Sequence, residues 1–188
     1  MKLTAFLGSP RPQGNTDLLT AAVLEGAAEA GFETGTIALR SKRVRPCVAC
    51  ERCWQKDRPC ALDDEMGELY QAIGEADVLL FATPVYWYAP TAQMKAFLDR
   101  LVPLNRPQGR ALVEGKGALL VTAYEEEGPT AAEPLLRMFE LSFAYLGLRE
   151  LGRVVVPGVG PKGAVRERPE ALEEAQALGR ALGERGSR

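Results

Sequence analysis

The stretch "KLTAFLGSPRPQGNTDLLTAAVLEGAAEAG", Lys2 to Gly31, decides how the rest of the chain is read. Residues 2–8 are a short apolar run ending in glycine, as a strand buried on both faces of a parallel sheet would be. Residues 16–31 place Leu19, Ala22, Val23 and Ala27 on one helical face and stop at Gly31. The turn between them brings Ser9, Arg11, Gly14, Asn15 and Thr16 to the amino end of that helix. Hydroxyl and amide donors, a fixed cation and the helix's own free N–H groups all favour an anion there, and the reading adopted is a phosphate. The prolines stiffen the loop and Gly14 permits close approach. No Gly-Lys-Ser/Thr is present, so this is not a Walker loop. An ordinary strand-to-helix turn capped by Asn or Thr is the alternative.

Working outward, the same alternation recurs. Strands are expected at 32–40, 77–86, 117–124 and 149–159, and helices at 63–76, 91–102, 129–147 and 168–185. Five strands alternating with five helices predict an α/β fold, a doubly wound, five-stranded parallel sheet with helices on both faces. With no linker, repeat or low-complexity tract, residues 1–188 read as one domain with a Cys-rich insertion at about 41–62. Ligands in such sheets sit beyond the carboxyl ends of the strands. The loops after strands one, three and four are therefore where a site is expected.

Composition narrows the chemistry. The net charge of −2 gives no bulk reason to seek nucleic acid or an anionic membrane surface. No apolar run has transmembrane length, and "MKLTAFLGSPR" is too soon broken for a signal peptide, so the expected location is cytoplasmic. The chain has no histidine, which removes Ser-His-Asp and Cys-His catalysis and histidine-ligated zinc. An enzyme built this way uses carboxylates, Lys, Tyr or Cys, or takes its chemistry from a cofactor.

The loop after strand three, "TPVYWYAP" (83–90), sets two tyrosines and a tryptophan between prolines. A strand end presenting flat aromatics and backbone donors suits a large planar ring, and equally a subunit interface or a hydrophobic plug. The loop after strand four, "TAYEEEGPT" (122–130), reads first as a solvated turn, with Thr122, Ala123 and Tyr124 placed to flank a ligand. "GVGPKG" (158–163) fits Gly-x-Gly-x-x-Gly, but Pro161 interrupts it and no βαβ unit follows, so it is read as a loop.

"GSPRPQGNT" followed by "TPVYWYAPTAQMKAFLDR" resembles the NADPH-dependent FMN reductase family of flavodoxin-like proteins. The resemblance implies a flavodoxin-like FMN-binding domain with strand order 2-1-3-4-5 and FMN at the switch point. It implies that Ser9, Arg11, Asn15 and Thr16 hold the FMN phosphate, and that Pro84, Val85, Tyr86 and Trp87 line the isoalloxazine ring. The third loop departs from the family pattern, with "YEEEG" where many relatives have glycines.

The four cysteines, Cys47, Cys50, Cys53 and Cys60, are spaced C-x2-C-x2-C-x6-C within fourteen residues. The first three match a bacterial ferredoxin run; the fourth comes later than the ferredoxin spacing. The compact motif resembles the iron-sulfur flavoproteins, which implies a [4Fe–4S] cluster close to FMN. A four-thiolate zinc site, redox-active thiols and an empty set of cysteines stay open beside it. Lys42, Arg43, Arg45, Arg52, Lys56 and Arg58 make the segment locally basic, with a solvated loop as the default reading.

The expected function is an FMN-dependent oxidoreductase passing electrons from NAD(P)H, or from a ferredoxin-like donor through a cluster, to a small acceptor such as a quinone or flavin. No side chain is assigned an acid-base role, because the flavin carries the chemistry. A non-catalytic electron carrier and a zinc-stabilised binding module are the alternatives. The family resemblance also implies a homodimer or homotetramer.

Overall fold

The computed structural model describes residues 1–55 and 60–185. Its strands are β1 (Lys2–Leu7), β2 (Glu33–Ala38), β3 (Val78–Ala82), β4 (Gly117–Ala123) and β5 (Arg149–Val156). Its helices are α1 (Asn15–Glu29), α2 (Met66–Glu75), α3 (Ala92–Asp99), the short α4 (Pro107–Arg110), α5 (Glu133–Leu146), α6 (Pro169–Arg180) and α7 (Leu182–Arg185). The strands form one parallel sheet in the order β2-β1-β3-β4-β5, the flavodoxin-like order. β1 pairs with β2 on one side and β3 on the other, so the chain reverses direction across the sheet between β1 and β3.

The central strands explain why sequence marked them so clearly. Every residue of β3 and β4 is buried, which favours the apolar side chains that, Thr122 apart, both strands carry on both faces. Leu3, Ala5, Leu80 and Val121 face one core with Leu19 and Val23 of α1 and Ala175 of α6. Phe6, Phe81 and Leu120 face the other with α2, α3 and α5. That second core is aromatic: Phe6 stacks on Phe97 at 4.7 Å between centroids, and Phe81 lies 5.3 Å from Phe143.

Helices α1 and α6 meet backbone to backbone. A Cβ on Gly26 would run into the carbonyl of Gln176, and one on Gly179 into the carbonyl of Val23. Two glycines thus set how close the helices approach, and with them the position of the α1 amino end.

The third strand is shorter than the expected 77–86 and ends at Ala82. Thr83 Oγ1 accepts the N–H of Thr91 at 3.1 Å, and Thr91 Oγ1 donates to the carbonyl of Gly8 at 2.6 Å. Two hydroxyls therefore turn the chain out of the sheet and tie it to the end of β1. The second helix starts at Met66 instead of residue 63, because Asp64 accepts the Met66 N–H at 3.2 Å from outside the helix. No helix among the described residues is long and apolar enough to cross a membrane.

Candidate functional site

A cavity of about 120 Å³ opens at the carboxyl edge of the sheet, beyond β1, β3 and β4. Ser9, Arg11, Gly14, Asn15 and Thr16 wall it from the first loop, Pro84, Val85 and Tyr86 from the second, and Ala123 and Tyr124 from the third. Glu125, Val159, Gly160 and Lys162 complete the lining.

The first loop is built to leave donors free. Gly14 precedes α1 in extended backbone, with no side chain capping the helix. The Gly14 N–H itself goes to the carbonyl of Arg11 at 3.2 Å, and the Leu18 N–H returns to Gly14. The N–H groups between them, of Asn15, Thr16 and Asp17, make the uncapped first turn of a 15-residue helix facing the cavity. Ser9 is 4% exposed, and its Oγ accepts the Arg11 N–H and donates to the Arg11 carbonyl, both at 3.2 Å, which folds the turn. Arg11 is exposed and makes one long hydrogen bond, 3.5 Å, to the carbonyl of Gly160.

Asn15 does other work than its sequence position suggests. Its Nδ2 donates to the carbonyls of Val159 and Pro161 at 2.6 and 2.9 Å, and its Oδ1 accepts the Val165 N–H at 3.2 Å. The amide is committed to the loop after β5, so it braces a wall of the cavity instead of presenting donors to it. The loop 158–163, which carries the interrupted Gly-x-Gly-x-x-Gly, thereby contributes Val159, Gly160 and Lys162. Its position could not be seen in the sequence, since contacts from far along the chain, those of the Asn15 amide and of the Tyr124 and Glu126 carbonyls, hold it there.

Asp17 and Arg40 brace the turn from behind. Asp17 Oδ2 accepts the Gln13 N–H at 3.0 Å and pairs with Arg40 at 3.1 Å, and Arg40 reaches the Ser9 carbonyl at 3.4 Å. Burial pushes the Asp17 carboxyl upward, against the pull of Arg40 and of the Gln13 N–H. Arg40 follows β2 and was missed, because nothing in its local sequence separates it from a solvated arginine.

In the second loop, Tyr86 and Ala89 exchange backbone hydrogen bonds of 2.8 and 3.0 Å around Trp87 and Tyr88. Both central residues have positive φ, 51° and 63°, the type I′ geometry that normally takes Asn-Gly. Bulky side chains there are strained. Trp87 is 92% exposed and does not line the first cavity. It borders a neighbouring one of about 260 Å³ with Val85, Tyr88, Glu126 and Ala131.

In the third loop Thr122 also lies off the cavity, fully buried in β4, its hydroxyl without a partner among the described residues. Tyr124, expected in a solvated turn, is instead buried, because its N–H and C=O extend the ladder to Val156 and Val159 at 3.1 and 2.8 Å. Burial, with the charges of Glu126 and Glu133, pushes its hydroxyl pKa up.

The four cysteines are free thiols that line one separate cavity of about 210 Å³ with Trp54, Leu62, Arg100 and Val102. Cys47 and Cys50 are exposed, Cys53 and Cys60 half-buried. Ala49 and Glu51 take positive φ, 48° and 57°, which curls the segment. Burial pushes the Cys53 thiol up, and the other three thiols add to the effect. Among the described residues no three Cys, Asp or Glu side chains converge as a single-ion site. Part of the local basicity is paired: Lys42 with Glu65 and Glu68, and Arg43 with Glu65. Lys56 and Arg58 lie outside the described residues. Among the described residues, none lines both the thiol cavity and the one at the sheet edge.

Known proteins resemble the chain over most of its length. The family described as NADPH-dependent FMN reductase matches residues 1–157. An iron-sulfur flavoprotein of Archaeoglobus fulgidus is 33% identical over 98% of this chain and 80% of its own length. One from Methanosarcina thermophila is 41% identical over 68% of this chain and 66% of its own. In structure, the NAD(P)H:quinone oxidoreductase from Methanothermobacter marburgensis superposes with a TM-score of 0.76, at 22% identity, over 97% of this chain and 96% of that one, a likeness of fold.

Proposed function

The chain belongs to the NADPH-dependent FMN reductase family, and from that membership we propose that the cavity at the sheet edge holds FMN and serves NAD(P)H-dependent reduction of a small acceptor such as a quinone or flavin. The observation that carries this reading is the uncapped amino end of α1 opening onto a cavity that the β1, β3 and β4 loops wall together. The free N–H groups of the first turn bind the phosphate, with the Thr16 hydroxyl beside them and Arg11 supplying the cation. Gly14 keeps the turn open, since a Cβ there would crowd the Arg11 carbonyl and the Ser9 hydroxyl. Asn15 acts indirectly by holding Val159, Gly160 and Lys162 against the site. Pro84, Val85 and Tyr86 flank the ring on one side and Ala123 and Tyr124 on the other.

Bound there, FMN would supply the hydride and electron transfer, chemistry for which this chain needs no histidine. The protein binds the coenzyme, limits water and leaves a way in for its partners. The exposed Tyr86-Trp87-Tyr88 turn and its neighbouring cavity suit an incoming ring or the surface of a second subunit, in a homodimer or homotetramer. Replacing Arg11 with Glu reverses the cation at the phosphate. The Arg11→Glu protein should purify without flavin; full FMN retention would refute the assignment.

A second reading concerns the thiols. Four free cysteines around one cavity support a [4Fe–4S] cluster held by Cys47, Cys50, Cys53 and Cys60. The cavity is several atoms wide, which suits a cluster better than one zinc ion. Such a centre would exchange single electrons with a ferredoxin-like partner. Iron, sulfide and zinc analysis with a visible spectrum, on protein purified without air, decides between the two metals.

A further inference from the structure

The thiol cavity has a built floor. Arg100, the residue after α3, is 2% exposed and lines that cavity with all four cysteines. Both of its terminal nitrogens are engaged. Nη1 donates to the carbonyl of Arg45 at 2.8 Å and to Asp64 Oδ2 at 2.6 Å, and Nη2 donates to Asp64 Oδ1 at 3.0 Å. Asp64 is held in turn by the N–H groups of Arg45 and Met66, at 2.9 and 3.2 Å, and the Tyr70 hydroxyl donates to the carbonyl of Arg100 itself. The guanidinium therefore cannot swing toward solvent. Its Nε is the one guanidinium nitrogen left buried with no partner at all among the described residues.

An unpaired charged donor in a buried place is costly, and a sulfur-rich anionic centre is the natural acceptor for it. Hydrogen bonds to the sulfurs and local charge are what set the potential of an iron-sulfur cluster. Resting on the cluster reading above, we propose that Arg100 is a positioning residue that donates its Nε–H to sulfur of the four-cysteine centre, with Asp64 fixing its orientation. The donor and its positive charge stabilise the more negative, reduced state. Arg100 thus eases reduction of the centre, and Asp64 contributes by orienting it.

The test is anaerobic reconstitution with ferrous iron and sulfide, followed by dithionite titration of the centre, in wild type, in Arg100→Lys and in Arg100→Gln combined with Asp64→Asn. The Lys variant keeps the charge without an Nε–H. The double variant keeps a hydrogen-bonded neutral pair and so avoids stranding a buried carboxylate. Both should retain iron and FMN, yet reduce with an equilibrium constant at least tenfold lower, 59 mV for a one-electron couple. Labelling with nitrogen-15 arginine adds a second readout: the reduced wild-type centre should show, in pulsed electron paramagnetic resonance, a nitrogen-15 coupling that is missing from labelled, iron-loaded Arg100→Lys. Unchanged potentials in iron-loaded variants, or no such coupling, would overturn the role of Arg100 while leaving the cluster in place. Wild type that takes up no iron would overturn the cluster reading and this inference together.

Discussion

Asn15→Ala separates bracing from direct binding at the phosphate turn. The Asn15 amide makes three hydrogen bonds, of 2.6, 2.9 and 3.2 Å, to the loop after β5. At about 0.5–1.5 kcal/mol net for each, and with the residue only half-buried, their loss should cost about 2 kcal/mol. For a chain of this size that is a fall in Tm of about 4–8 °C in FMN-free protein. The wall bearing Val159, Gly160 and Lys162 would loosen, and FMN affinity should fall about tenfold, or about 1.4 kcal/mol. Asn15→Asp keeps the acceptor for Val165 and turns a carboxylate toward two carbonyls, so it should be at least as unstable. Thermal unfolding by circular dichroism and flavin fluorescence titration read the two effects separately. Lost affinity at unchanged apo stability would show that Asn15 contacts the ligand itself, and the bracing argument would fail.

Three further outcomes follow from particular contacts. Gly179→Ala raises helix propensity by about 1 kcal/mol, yet its Cβ meets the backbone of Val23, so calorimetry should show net destabilisation of about 1–2 kcal/mol; a rise in Tm would contradict the close helix approach. Replacing the strained turn by Trp87→Asn with Tyr88→Gly should stabilise the FMN-free protein by about 1–2 kcal/mol while slowing NAD(P)H oxidation, and unchanged turnover would leave the aromatics without a role in the site. Asp64 is buried, which alone would raise its pKa, but hydrogen bonds from Arg100, Arg45 and Met66 hold it below the usual 3.8. Its contribution is therefore complete above that value and lost as pH falls through the lower folded value. Wild type should lose its stability advantage over Asp64→Asn in that acid window, and a constant difference down to pH 2 would refute the pairing.

Much of the fold was legible because its central strands carry apolar residues on both faces, a pattern that short runs such as "VLLFA" display openly. Where an element ended was less legible, since Thr83 and Thr91 stop β3 through hydroxyl contacts to partners far along the chain. At the candidate site, residue types at the strand ends pointed to loops that do wall one cavity, but not to each side chain's contacts. Asn15 looks like a donor for an anion until the loop 144 residues away takes its amide. Trp87 looks like part of a ring pocket until the turn geometry points it outward. Asp64 falls within the helix expected at 63–76, and nothing local marks its pairing with Arg100, 36 residues on. Long-range polar pairing leaves no periodic mark, whereas burial does.

The most direct test compares FMN with riboflavin, which lacks the phosphate, in fluorescence titrations of flavin-free protein at low and high salt. FMN should bind at least a hundredfold more tightly, the gap should narrow as salt rises, and Arg11→Glu should nearly abolish it. Equal affinity for the two flavins would contradict the phosphate assignment, because the amino end of α1 would then be gripping nothing.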